Sequence, residues 1–155
     1  MANTSFQSVY DVFLGKITDD MYMELYEEET AALLQDLLLD AISWFEFPKV
    51  DLFNYDSAGA TFNIELSNEE INILATYMVV VWMSQQLASV ENTRMKYSGA
   101  DFKFTSQANH MSKILSIRET YKQEGFHLQR LYKRRQRNTD TGVMTSTFTQ
   151  IMEEL

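Results

Sequence analysis

Apolar residues recur every three or four positions in four stretches of the chain, and this spacing predicts four helices. The first stretch shows the stripe most plainly, at Phe6, Val9, Tyr10, Phe13, Leu14 and Ile17. The second begins near Glu27–Glu29, and the third follows Ser67 and continues to about Met95. The fourth runs from about Thr105 into the basic run Lys133–Arg137. The last two helices are therefore expected to be long.

Local signals mark the ends of these helices. Ser67 and Glu70 have capping-box spacing, in which the serine accepts from a free N–H and the glutamate reaches back to the serine N–H. The carboxylates of Glu27–Glu29 suit the positive end of the second helix. Pro48 ends that helix, because the residue before a proline resists the helical conformation.

The segment 50–66 has a different pattern. Aromatic and aliphatic residues alternate with polar ones on both sides of the stretch Asp56–Ala60. This alternation predicts a short β-hairpin or an ordered loop, inserted between the second and third helices.

The third helix is apolar on most sides from Tyr77 to Met83, which predicts burial from more than one direction. Gly125 weakens the last helix and is a candidate for a bend. Core filling is the interpretation for the methionines and aromatic residues of these helices, at Met78, Met83, Met95, Trp82, Trp44 and Phe45.

The sequence thus predicts a mainly α protein. Residues 1–137 are expected to form a helical bundle with two long helices and a short inserted hairpin. Residues 138–155, rich in Thr and Ser, are expected to form an extended C-terminal tail with apolar residues near its end.

Charge divides the chain into two unlike parts. Residues 1–93 contain 16 acidic and 2 basic residues, a net charge of −14, and residues 94–155 contain 6 acidic and 11 basic residues, a net charge of +5. Such polarity favours a subunit that stacks acidic end to basic end, or one that presents a basic face to a polyanion.

No pattern in the sequence indicates chemistry. Cysteine is absent, and the five glycines form no phosphate-binding loop. His110 and His127 lack the Glu-x-x-His spacing of a di-metal bundle. The apolar window Ile71–Met83 is too short for a bilayer span. We therefore expect no catalysis, no cofactor, no metal and no membrane partner.

The basic run and the tail are the candidate partner-binding features. The run is open to two interpretations, a solvated helix end or an electrostatic contact with an acidic protein surface or with phosphates. The tail residues either fray or grip a neighbouring subunit. The proposed partner-binding residues are Arg130, Lys133, Arg134, Arg135, Arg137, Phe148, Ile151 and Met152. A second proposed interface is the hairpin tip, at Asp56, Ser57, Ala58, Gly59 and Ala60.

A family resemblance rests on packing residues between about positions 5 and 135. It is carried by Val9–Leu14, Ile42–Pro48, Glu69–Met78, Trp82, Glu91–Thr93 and Phe104–His110. These stretches resemble the head–tail connector, or neck adaptor, proteins of tailed bacteriophages.

The resemblance implies a virion protein made in the host cytoplasm. It implies a ring, typically dodecameric, bound beneath the portal protein and joined to the next neck or tail protein. Double-stranded DNA would pass through the ring, and the acidic surface of the first 93 residues would let it slide. Two alternatives stay open: another neck or tail-completion protein, or a small nucleic-acid-binding regulatory protein that uses Arg130–Arg137.

Overall fold

A computed structural model describes residues 2–17, 27–96, 104–137 and 144–146. Within these ranges the helices are α1 (Phe6–Lys16), α2 (Glu27–Trp44), α3 (Asn68–Lys96) and α4 (Phe104–Arg134). The strands are short: β1 (Thr4–Ser5), β2 (Tyr55–Asp56), β3 (Thr61–Phe62), β4 (Arg135–Arg137) and β5 (Met144–Ser146). The predicted mainly α fold with two long helices is confirmed, since α3 has 29 residues and α4 has 31.

Helix α3 is the centre of the bundle, and it packs against each of the other three helices. Every residue from Ile73 to Met83 is buried. Residues Asn68–Ala88 are long and apolar enough to cross a membrane by length and composition, but 61% of that window is buried inside the protein. Its apolar surface is therefore largely covered by the other elements of the fold.

The predicted capping box begins this helix. The Ser67 N–H donates to Glu70 Oε1 at 2.8 Å, and the Glu70 N–H donates to Ser67 Oγ at 3.2 Å. The reciprocal bonds satisfy backbone donors that the first turn of a helix leaves free.

The predicted hairpin is also confirmed, and it belongs to a larger sheet. Strands β2 and β3 pair antiparallel, with Tyr55 opposite Phe62, and β1 pairs with the other edge of β3 through Thr4. The buried Thr4 hydroxyl accepts from the Leu66 N–H at 2.8 Å. Strand β1 was not predicted from the sequence, because a strand of two residues is too short to show an alternating pattern.

The C-terminal end of α4 differs from the expectation. The helix ends at Arg134, and Arg135–Arg137, expected as its last residues, form β4. Strand β4 pairs antiparallel with Met144–Ser146, so that Arg135 lies opposite Ser146. Three residues of the expected tail are therefore paired with the end of the bundle domain, and residues 138–143 and 147–155 lie outside the described residues.

Gly125 occupies a close contact between α3 and α4. A Cβ atom at this position would lie 2.7 Å from Cζ and 2.9 Å from Cε1 of the Tyr77 ring. That ring is fully buried and stacks on Trp44 with a centroid distance of 5.6 Å. Because the ring has little room to move, packing requires the glycine at this point in the helix.

The substitution Gly125→Ala should therefore destabilise the protein by about 1–3 kcal/mol, although alanine is the better helix former. The matched control is Gly15→Ala in α1, where an added Cβ would meet no atom within 4 Å. The control should stabilise the protein by roughly 0.5–1 kcal/mol. Urea unfolding followed by circular dichroism measures both changes, and a stabilising Gly125→Ala would contradict this account.

Candidate partner-docking surface

A candidate docking surface lies where the segment that follows α2 crosses the last turns of α4. Gln129 of α4 fixes this crossing: its amide nitrogen donates to the Trp44 carbonyl at 3.0 Å, and its amide oxygen accepts from the Glu46 N–H at 3.0 Å. The same nitrogen also contacts the Tyr77 hydroxyl. One side chain thus joins α4, α3 and the segment that follows α2.

Below the surface, a buried polar cluster connects the same elements. The Tyr132 hydroxyl donates to Glu70 Oε2 at 2.8 Å and accepts from the Lys49 N–H at 2.8 Å. Glu70 is 5% exposed and Tyr132 is 4% exposed. The second carboxylate oxygen of Glu70 is occupied by the capping box. Each oxygen of this buried carboxylate therefore has a donor, as burial of a charge requires.

Lys49 caps the end of α4. Its ammonium group donates to the Tyr132 carbonyl at 3.0 Å and to the Arg135 carbonyl, and it lies 4.5 Å from the centre of the Tyr132 ring. Carbonyls at a helix end lack intrahelical partners and carry partial negative charge, so a cation there is favourable.

Burial and the neighbouring carboxylates raise the pKa of Tyr132 above the ordinary value of 10.0. Desolvation is the largest cause, and the hydrogen bond to Glu70 also favours the neutral hydroxyl. Burial, followed by the charge of Asp36, raises the pKa of Tyr10 to about 12. Both groups are therefore neutral in the folded protein at physiological pH.

Above this cluster lies a groove of about 380 Å³ with an exposed aromatic side chain at its edge. Phe47 is 60% exposed, and the Lys133 ammonium lies 4.6 Å from the centre of its ring. We call this the basic groove; its lining residues are Glu46, Phe47, Gln123, Phe126, Gln129, Arg130, Tyr132 and Lys133. Aromatic residues and arginine are enriched at protein-binding surfaces, and the groove contains Phe47 and Arg130.

A second groove, of about 310 Å³, lies on another side of Tyr132 and has the opposite charge. Its carboxylates are Glu65, Glu69 and Glu70, and its cation is Lys49. We call this the acidic groove. Arg135, whose guanidinium lies 3.6 Å from a carboxylate oxygen of Glu69, contacts one of its lining residues.

The predicted partner-binding residues are thus only partly brought together. Arg130 and Lys133 line the basic groove, Arg134 is exposed beside them, Arg135 pairs with Glu69, and Arg137 lies on β4. Phe148, Ile151 and Met152 lie outside the described residues. Phe47 was missed, although the aromatic run before Pro48 contains it, because the pattern does not tell which ring of such a run faces solvent.

The hairpin tip is a separate surface. Asp56 accepts from the Ala58 N–H at 3.1 Å, and Ala60 has a φ of 51°, in the left-handed region. The Ala60 carbonyl accepts from the Phe6 N–H at 2.9 Å, which ties the tip to the start of α1. Residues 56–59 are exposed, and the nearby Phe53 is 72% exposed.

Among the described residues, no three His, Cys, Asp or Glu side chains lie close enough together to hold a metal ion. Comparisons with family models, with curated proteins and with solved structures found no match to the chain.

Tyr132→Phe should lower the free energy of unfolding by about 1–3 kcal/mol at pH 7, because it removes a donor from the buried Glu70 carboxylate and an acceptor from the Lys49 N–H. Tyr55→Phe is the control; the Tyr55 ring packs against Phe62, and its variant keeps that contact.

The two variants should also differ in alkali. The raised pKa of Tyr132 stabilises the folded state fully below pH 10, and this contribution is lost as pH rises above 10. Wild-type stability should therefore fall above pH 10, and Tyr132→Phe should show a smaller fall, with Tyr10 causing part of what remains. Urea unfolding at several pH values measures both slopes. Identical slopes would contradict the role given to Tyr132.

Proposed function

We propose that the chain is a structural virion protein, a head–tail connector that assembles as a ring beneath the portal and forms part of the DNA passage. The basic groove at the end of α4 is proposed as a docking surface for the portal. The proposed function is assembly and includes no catalysis.

The observation that carries the proposal is the exposed Phe47 ring, which shares the basic groove with Arg130 and Lys133 of α4. Phe47 offers apolar area, while Arg130 and Lys133 offer directed positive charge in the same groove. Aromatic anchors supply affinity at protein interfaces, and peripheral charges supply orientation and association rate. The crossing beneath the groove is held by Gln129 and Tyr132, so the surface is preorganised.

The virion location rests on the resemblance to neck adaptors, and two physical features support it. The two long helices can extend roughly 40 Å beside a channel, at 1.5 Å for each residue. The net charge of −14 over residues 1–93 makes repulsion of duplex DNA the expected behaviour of a surface formed by that part of the chain.

The experiment is mass photometry of the purified chain with and without the portal complex encoded beside it. We expect a stable complex with about one copy for each portal subunit. The double variant Arg130→Glu/Lys133→Glu should weaken this complex by at least about tenfold. Lys113→Glu/Lys122→Glu is the matched control, because it makes the same charge change on α4 at residues that do not line the groove; its affinity should stay within about threefold of the wild type.

Absence of a complex with wild-type protein, despite a helical circular dichroism spectrum, would overturn the connector proposal. Duplex DNA then tests the regulatory alternative. A DNA affinity that falls steeply with salt and is lost in Arg130→Glu/Lys133→Glu would support a nucleic-acid-binding role for the same cations.

A further inference from the structure

We propose that the basic groove of one molecule binds the hairpin surface of a second copy of this chain. The hairpin surface consists of the exposed residues Asp51, Phe53 and 56–59, at the hairpin between α2 and α3. Association of the free protein is a property beyond the proposed connector function, and it involves no portal.

The hairpin surface presents an aromatic side chain to solvent. Phe53 is 72% exposed, more than the 60% of Phe47 in the basic groove. Strand β2 lies at an edge of the three-stranded sheet, and no other described strand pairs with its outer side. The exposed ring thus stands next to an open sheet edge, and aromatic side chains are enriched where proteins bind each other.

The hairpin surface is held in one shape by its own hydrogen bonds. The Phe53 N–H donates to Asp51 Oδ1 at 3.1 Å, and the Ala58 N–H donates to Asp56 Oδ1 at 3.1 Å. The Asn63 N–H donates to the carbonyl of the residue after Phe53 at 3.0 Å. None of these residues lines the basic groove of the same molecule. Because the hairpin surface is fixed away from that groove, it can enter only the groove of another copy.

Charge selects the groove that the hairpin surface can enter. Residues 50–65 contain three acidic residues and no basic one. The acidic groove, with its three carboxylates, would repel this segment. The exposed face of α2 carries Asp36 and Asp40, and α2 contains no basic residue. The basic groove has two cations and a single carboxylate, Glu46, so it attracts the hairpin surface.

The apolar lining of the basic groove suits the Phe53 ring. Phe47 and Phe126 line the groove, and aromatic rings attract one another in edge-to-face and offset arrangements. A groove of about 380 Å³ lies within the size range of small-ligand sites and has room for one aromatic side chain. Entry of Phe53 would cover two exposed aromatic rings in a single contact.

The same groove cannot hold the hairpin surface of a second copy and the portal at once. A portal that docks there must therefore displace the second copy. Since the flanking charges are exposed and screened by salt, we expect self-association to be weak and reversible.

A charge exchange in the full chain tests the contact. The hairpin variant Asp51→Asn/Asp56→Asn/Ser57→Lys/Ala58→Lys makes the hairpin surface positive. Its asparagine side chains keep an oxygen that can accept from the Phe53 and Ala58 N–H groups. The groove variant Arg130→Glu/Lys133→Glu makes the groove negative. Sedimentation velocity over a hundredfold range of protein concentration, at about 50 mM and about 500 mM salt, measures association.

The wild type should associate as its concentration rises at low salt, and less so at high salt. Each variant alone should associate at least about tenfold more weakly, because its two surfaces then have the same sign. An equimolar mixture of the two variants should regain association to within about threefold of the wild type. In the mixture the positive hairpin surface meets the negative groove, and the two unaltered surfaces also meet.

The matched control is Ala32→Lys/Asp36→Asn/Asp40→Asn/Ser43→Lys, which makes the charge change of the hairpin variant on the exposed face of α2. Its self-association should stay within about threefold of the wild type. A control as weak as the hairpin variant would show that net charge alone matters, and it would overturn the proposal.

Two further results would overturn it: a wild type that stays monomeric at low salt, or a mixture that stays monomeric while both variants keep helical circular dichroism spectra. Since no measurement includes the portal, failure of this proposal is distinguishable from failure of the connector function.

Discussion

A helix that is apolar on most sides cannot remain exposed to water, and α3 has this character through its middle. Burial of large aliphatic and aromatic side chains contributes about 1.5–3 kcal/mol each, so the free energy of folding favours any arrangement that covers the helix completely. In this protein α1, α2 and α4 cover it together. The positions of the smaller elements follow from this requirement, since β1 and the hairpin fasten the start of α1, and the segment after α2 crosses onto α4.

The ends of these helices are joined by polar contacts that bridge distant parts of the sequence. Lys49 and Tyr132 are separated by 83 residues, and Glu70 and Tyr132 by 62. A buried carboxylate without donors would cost several kcal/mol, so Tyr132 and the capping box are needed wherever Glu70 is buried. The cluster therefore fixes the end of α4 relative to the start of α3, and it holds the segment that carries Phe47.

The proposed docking function depends on the charge and the exposure of the side chains at the surface of this crossing. The side chains beneath the crossing are paired and buried, whereas Phe47, Arg130 and Lys133 face outward above them. A rigid base with an exposed aromatic and cationic surface suits docking better than a flexible one, because less entropy is lost on binding. Assembly with a partner draws on these properties of the surface.

The sequence by itself determined the helices, the inserted hairpin and the capping box, because each depends on residues close together in the chain. Helical periodicity marks Phe6–Ile17 as a stripe, and Ser67 and Glu70 need only their own turn to form reciprocal bonds. The sequence also singled out Arg130 and Lys133, since a run of cations is visible without a fold. Only the tertiary structure decided that Gly125 faces the Tyr77 ring, that Glu70 meets Tyr132 and that Phe47 is exposed while Phe45 is buried. Each of these depends on which element covers which, and periodicity identifies an apolar face without identifying the neighbour that packs against it.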